Sequence, residues 1–330
     1  MTTLRLATPA DDDVIRALLR DNAMPSWVEM TIEREPSFFA GANLVGRDWA
    51  VIAEEDGDVL GMYTAAMMPV HVDGRAERLG YLGGLRVSAR HRRRIRHLRA
   101  GYESIVPLAP ARVPFWFTVV GEENRAARRL LEAGIAGLPA YHAMGEYRTF
   151  AISTSRGRRR SSWRRATDAD AAGVVAFHNA RAAQYQFSPV LTEEIVRRLP
   201  FFVCPSGVAA LWDQRAFKQI VARRYRTPKL IAAYNVFARL SRRVVLPREG
   251  GALDQTFIAF LALDDDDAFA DLLSHCATPV ASIGLHAAHP LIKRIERMKP
   301  MSYPARVYAV TFNGVPPLTA RPAQPEAALL

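Results

Sequence analysis

A duplicated opening constrains the fold of this chain more than any other feature. Residues 4–19, LRLATPADDDVIRALL, and 163–178, WRRATDADAAGVVAFH, share an Ala-Thr-x-Ala-Asp core at Ala7–Asp11 and Ala166–Asp170, each followed by an apolar helical period. Both predict a short strand that leads through an Asp-capped turn into a helix, because Thr and Asp oxygens accept from the free N–H groups of a first turn. The closings correspond too. Leu138-Pro-Ala-Tyr141 ahead of Tyr147-Arg-Thr-Phe150 is echoed by Met301-Ser-Tyr303 ahead of Tyr308-Ala-Val-Thr-Phe312, at nearly the same offset. Unless so short a match is chance, the chain is two copies of one α/β (α+β) unit: residues 1–152 and 163–312, joined by a basic linker at 153–162 (STSRGRRRSS). The Pro- and Ala-rich residues 313–330 are expected to be a loose tail. At 330 residues and 49% hydrophobic composition, there is enough apolar material for two cores.

Within the first copy, Trp49–Ala53 and Val59–Tyr63 flank EEDGD, a hairpin signal around Asp56-Gly57. Val70–Val72 and Leu85–Val87 continue as strands, with Asp73-Gly74 as a second turn, and Phe115–Val120 is a later strand. A helix over Glu123–Ala133 ends at Gly134, a residue suited to the left-handed C-cap position. Between these lies LGGLRVSARHRRRIRHLRAGY, residues 82–102, where an apolar strand runs into an arginine-packed turn and then a helix. Helix-start N–H groups, the positive end of the helix dipole and several guanidinium groups together favour phosphate or pyrophosphate. The same arginines also suit a plain solvated basic face.

The net charge of +11 is carried mainly by arginine, part of it in Arg86–Arg99 and Arg156–Arg165. Such an excess fits nucleic acid, an acidic membrane surface or an anionic ligand, and composition alone does not choose among them. Cys204 and Cys276 are far apart with no histidine at metal-ligand spacing, so neither a disulfide framework nor a zinc site is expected. The N-terminus lacks a basic segment followed by an apolar one, and no apolar run nears a membrane span, so a soluble, unprocessed cytoplasmic protein is expected.

The element order, with Gly121-Glu-Glu-Asn124 and the helix that follows, resembles the GNAT family of acyl-CoA-dependent N-acyltransferases, in which tandem arrangements occur. The resemblance covers most of residues 4–152 and, more faintly, 163–312. It implies two GNAT-like domains, each a mixed, mostly antiparallel twisted sheet flanked by helices. It further implies acetyl-CoA or another acyl-CoA as co-substrate and a small-molecule or peptide amine as acceptor. Leu85, Arg86 and Val87 resemble the strand beside the thioester, Arg92 opens the pyrophosphate loop with Arg93, Arg94, Ile95, Arg96 and His97, and Asn124 resembles the asparagine before the later helix. The family's loop glycines fall at Ile95 and His97, or one residue earlier at Arg94 and Arg96, and neither register keeps a glycine. The tyrosine that commonly protonates the departing thiolate falls at Leu130, which cannot donate, so Tyr141 is the replacement candidate, with His142 and Tyr147 nearby. Glu77 and Glu123 are available as general base, and Glu123 is carried forward. Asp12, Glu29, Glu33 and Glu35 are expected in an early helical region facing the acceptor, where Trp27 and Glu29 would line the pocket.

In the second copy, Phe257–Leu263 is the matching strand, but Asp264–Asp267 follows where a pyrophosphate would bind. Four carboxylates cap a helix and repel a polyanion, so this half is expected to carry no cofactor. An oxygen-ligand metal there is conceivable, as is a helical His286/His289 pair, but a structural role is favoured for both and no metal is assigned. Leu211–Ile220 reads as a strand and bend entering a helix, with Trp212 and Phe217 as core. Beside the acyltransferase reading stands a catalytically inactive GNAT-like protein that binds an anionic metabolite or a protein partner. Nucleic-acid binding ranks third, for want of a recognised module, and a homodimer stays open.

Overall fold

The computed structural model describes residues 2–24, 27–41, 43–88, 95–157 and 163–330, without the side chains of 95–97. The duplicated opening folds twice in the same way. The Asp11 carboxylate accepts from the Thr8 amide and hydroxyl at 2.7 and 3.0 Å and takes a forked pair of bonds from Arg5 at 2.9 and 2.7 Å. Asp170 repeats this with the Thr167 amide and hydroxyl, both at 2.8 Å, and with Arg164 at 2.8 and 2.6 Å. The guanidinium beside each aspartate, with the Thr N–H and hydroxyl, holds its carboxyl far below the usual range. Helices α1 (Asp12–Asp21) and α4 (Ala171–Ala182) follow these turns.

The first half continues with β2 (Val28–Glu33), β3 (Arg47–Glu55), β4 (Asp58–Val72), β5 (Arg75–Val87), α2 (Ile95–Leu108), β6 (Trp116–Gly121), α3 (Arg125–Glu132) and β7 (Ala140–Ser153), after β1 (Thr3–Leu6). The second half runs β8 (Arg164–Arg165), α4, α5 (Glu193–Arg198), β9 (Phe201–Cys204), β10 (Gly207–Trp212), β11 (Gln219–Tyr225), α6 (Pro228–Leu240), β12 (Gln255–Leu263), α7 (Ala268–Leu272), β13 (Val280–His286), α8 (Ile292–Arg297) and β14 (Met301–Thr311). Gly134 takes the left-handed conformation just beyond α3, as expected, and Asn124 is found capping the start of that helix.

The two halves do not form separate sheets. One twelve-stranded sheet runs β1-β3-β4-β5-β6-β14-β7-β13-β12-β10-β9-β8. Its middle is an exchange: β14 of the second half pairs with β6, β7 of the first half pairs with β13, and β7 and β14 pair with each other from Met301↔Ala151 to Thr311↔Ala140. Each half contributes one parallel pair, β5–β6 and β12–β13, in an otherwise antiparallel sheet. No helix of the described residues is long and apolar enough to cross a membrane.

Three expectations are corrected. Residues 28–33 form a strand rather than part of a helical region, and β2 pairs with β11 as a separate ribbon from Val28↔Tyr225 to Glu33↔Gln219. The stretch expected to enter a helix after Leu211 therefore contains β11 instead, although Trp212 and Phe217 do pack in the core. The tail is not loose. Ala323, Ala327 and Ala328 are buried, Tyr147 donates to the Pro325 carbonyl at 2.7 Å, and the Gln324 side chain bonds the His286 amide and the Gly284 carbonyl, each at 2.8 Å. Small side chains and backbone-like amide pairing let a Pro/Ala-rich segment act as an extra layer on the sheet.

Gly284 marks that close approach: a Cβ there would lie 2.0 Å from the Tyr147 hydroxyl and 2.7 Å from Ala327 Cβ. Gly284→Ala is expected to cost about 1–3 kcal/mol by overpacking, read from urea unfolding. An unchanged midpoint would show that the tail does not bear on β13.

Candidate functional site

The parallel pair of the second half opens into a cleft, and the first half carries an equivalent parallel pair. Strands β5 and β6 pair at Gly80↔Trp116 and Tyr81↔Phe117, and β12 and β13 at Gln255↔Val280 through Phe257↔Ser282. Beyond these points the pairing stops. Three residues past the last pair, each half carries the same irregularity: Gly84 at φ 57° and Phe260 at φ 51°, in bulges where β5 shifts against β4 and β12 against β10. A bulge of this kind turns backbone N–H groups out of the ladder. At Gly84 the residue type is dictated, since a Cβ would stand 2.5 Å from Thr64 Oγ1.

In the first half, Leu85, Arg86 and Val87 continue β5 beyond the bulge. Arg86 is half-buried, with its Nε buried and unpartnered, and its electrostatic neighbours are the phenols of Tyr81 and Tyr303. Burial lowers its affinity for a proton. Arg92, Arg93 and Arg94 lie outside the described residues. Ile95, Arg96 and His97 are the first described residues of α2. Asn124 lies on the far side of β6, where its side chain accepts from the Ala127 amide at 3.3 Å as a helix cap.

Tyr141 sits in a tyrosine cluster. Its hydroxyl shares a 2.6 Å bond with that of Tyr102 on α2, and its ring meets Tyr102 and Tyr308 edge-on at 6.4 and 5.8 Å. Burial first, and the neighbouring Tyr102 second, push the Tyr141 phenol well above its ordinary value. It therefore stays protonated at neutral pH. Tyr308 donates to Glu132 Oε1 at 2.5 Å on α3, so a strand of the second half bonds a helix of the first. Sequence reasoning missed Tyr102 and Tyr308: the first is one apolar-face residue among several, and the second reaches this place only through the strand exchange.

The remaining candidates are dispersed. Glu123 is exposed in the turn after β6, facing Tyr303. Glu77 lies near the β4–β5 turn, opposite Val70 and well before the bulge. Trp27 and Glu29 belong to the β2–β11 ribbon, with Glu29 opposite Arg224. The other early carboxylates are engaged: Asp12 with Arg16, Glu35 with Arg16 and Arg20, and Glu33 with Arg223.

In the second half the equivalent amide is taken. Glu326 accepts from the Phe260 N–H at 2.7 Å and from the Ala328 N–H at 3.2 Å. No side chain among the described residues accepts from the Gly84 amide. Burial pushes the Glu326 carboxyl up to about 7, opposed by the two amides and by Lys218, which favour its charged form. Lys218, itself brought down to about 7 by burial, donates to the Leu330 and Ala328 oxygens at 2.5 and 3.3 Å. What remains of this cleft is a cavity of about 120 Å³ whose walls include His178, Tyr185, His289, Asp266 and Glu326. His286 and His289 are not on a helix. They close on Tyr185 with ring centroids 5.1 and 6.2 Å away, and among the described residues no group of three or more potential ligands could hold a metal. Asp264 and Asp267 pair with Arg181 and Arg294 at the start of α7.

No protein-family model matches the chain, and no curated protein matches it in sequence. Solved structures do. N-myristoyltransferase of Saccharomyces cerevisiae with bound myristoyl-CoA aligns over 96% of this chain and 84% of its own at TM-score 0.62 and 10% identity. The same enzyme with myristoyl-CoA and inhibitors aligns over 94% and 80% at TM-score 0.60 and 10% identity. A GCN5-related N-acetyltransferase from Anabaena variabilis aligns over 94% and 72% at TM-score 0.51 and 9% identity. The chain thus has the tandem GNAT fold shared by these acyltransferases.

The buried carboxyl yields a pH test. A carboxyl raised from about 4.5 to about 7 by folding gives its full stability below the lower value and loses it as pH rises through the upper one. Glu326→Gln, which keeps an acceptor for the Phe260 amide, is therefore expected to gain stability over the parent more at about pH 8 than at about pH 5 in urea unfolding. A larger loss at the higher pH would instead make attraction to Lys218 the dominant effect.

Proposed function

We propose that the protein is an acyl-CoA-dependent N-acyltransferase whose first half holds the thioester and whose acyl group passes directly to an amine. One observation carries this reading: of two equivalent bulges in parallel-paired strands, the one at Phe260 is covered by Glu326, and among the described residues no side chain covers the one at Gly84. The tandem fold shared with acyl-CoA-using enzymes supports it.

In the proposed reaction the thioester lies along Leu85–Val87, and backbone N–H groups at the bulge polarise its carbonyl. The neutral amine attacks the carbonyl carbon, the C–S bond breaks, and the thiolate leaves with CoA. A proton from the Tyr102–Tyr141 pair goes to that thiolate, and the proton lost by the amine goes to Glu123 or solvent. The arginines of 92–94 hold the pyrophosphate by bidentate contacts in place of the missing glycines. The Glu326 contact supports a second half without CoA, acting as support and acceptor wall. The acyl group is acetyl or longer, and the acceptor is a small-molecule or peptide amine.

Thermal unfolding with acetyl-CoA, longer acyl-CoAs and CoA tests the cofactor. A ligand at a hundred times its dissociation constant should stabilise by about 2.7 kcal/mol. Replacing Arg92, Arg93 and Arg94 by alanine should remove that gain. No shift with any CoA species would sink the proposal, and a shift without CoA release across an amine panel would leave a binding protein. Tyr141→Phe is expected to lower kcat about 100-fold with KM little changed. An unchanged kcat in the folded variant would reduce Tyr141 to a packing residue.

A further inference from the structure

The loop between β10 and β12 has no counterpart in the first half, where β4 and β5 are joined by the tight Asp73-Gly74 turn. Its composition is extreme: residues 214–248 hold ten Lys and Arg and no Asp or Glu. Arg215 and Arg223 pair with carboxylates from outside the stretch, and Lys218 holds the tail. No carboxylate of the described residues pairs with Arg226, Lys229, Arg239, Arg242 or Arg243.

Helix α6 lies within this stretch and is amphipathic in the opposite sense from a core helix. Ile231 and Ala238 are buried against the protein. Leu230, Val236, Phe237 and Leu240 are 66%, 58%, 51% and 83% exposed. Leu230, Ala233, Phe237 and Leu240 fall at i, i+3, i+7 and i+10, one outward stripe with Val236 beside it. Arg243 folds over the Phe237 ring at 5.2 Å, and its buried Nε has no partner. At the C-terminal end of the stripe, a groove of about 400 Å³ is walled by Arg239, Arg242 and Arg243. Exposed Trp27, whose carbonyl accepts from the Arg226 amide at 3.4 Å, lies beside the start of the helix.

We propose that α6 is an interfacial anchor for an anionic phospholipid surface, with Leu230, Phe237 and Leu240 inserted among the acyl chains and Lys229, Arg239, Arg242 and Arg243 on the headgroup phosphates. Two arguments select this occupant. Charge complementarity demands an anionic one, since Arg226, Lys229, Arg239, Arg242 and Arg243 pair with no carboxylate of the described residues. Size then decides: four side chains on one helix are far too few for the roughly 800 Å² per partner of a stable protein interface. A single helix suffices at a membrane surface, because apolar insertion and several cations, each attracted to anionic lipid, add together.

The test uses the full chain, co-sedimented with vesicles of phosphatidylcholine alone and with vesicles containing phosphatidylglycerol. Binding is expected only to the second, and should weaken as salt is raised. Phe237→Asp with Leu240→Asp should cut the bound fraction at least about tenfold. Replacing Arg239, Arg242 and Arg243 by glutamine should remove the preference for the anionic lipid. Arg243 is half-buried and the other side chains are exposed, so an unchanged urea midpoint is required to certify the fold of each variant. Absence of binding to anionic vesicles by the folded parent would overturn the proposal. So would a concentration-dependent dimer that the Phe237→Asp/Leu240→Asp variant dissolves, since a second copy would then cover the stripe.

Discussion

The structure depends on a single exchange of hydrogen-bonded partners: β7 leaves its own half to pair with β13, while β14 crosses to pair with β6. Without it each half would end in an unsatisfied parallel pair, and an exposed strand edge invites association with other chains. The exchange satisfies both edges at once and joins the halves through backbone ladders rather than through a side-chain interface. Several site features follow from it. Tyr308 reaches α3 only because β14 lies beside β6, and Tyr147 meets the tail only because β7 lies beside β13.

The two bulges show how one backbone irregularity can be used in opposite ways. A positive φ costs little at Gly84 but is strained at Phe260, where a bulky side chain is held in the left-handed region. The strain persists where surrounding structure over-determines it. Phe260 packs against Phe201 and His178, and its amide is held by the Glu326 carboxylate. The same amide that would stabilise a developing oxyanion in one half thus satisfies a side chain of the protein itself in the other.

The duplication was legible because its chemistry is local. A Thr and an Asp three residues apart report a capped turn wherever they occur, and Arg5 and Arg164 add the same fork to each. The turn at Asp73-Gly74 and the left-handed Gly134 were legible for the same reason. What the sequence hid was tertiary. Alanines of the tail read as loose until the sheet they cover is known, and Glu326 reads as one more surface carboxylate in a Pro/Ala segment. The alternation in Val28–Glu33 was a strand signal, but nearby carboxylates and the preceding helix masked it. The loop that holds β11 and α6 had no partner in the first half, so the duplication could not place it.

The order of strands in the sheet is not the order in which a ribosome delivers them. β6 and β7 are complete by residue 153, yet the strand that lies between them ends at residue 311. Through the synthesis of roughly half the chain, the centre of the future sheet stands open, with two backbone edges awaiting the same late insert. Long-range pairing of this kind closes slowly, and open edges are hazardous while it does. The nascent first half therefore keeps two unpaired edges until its sister has been made.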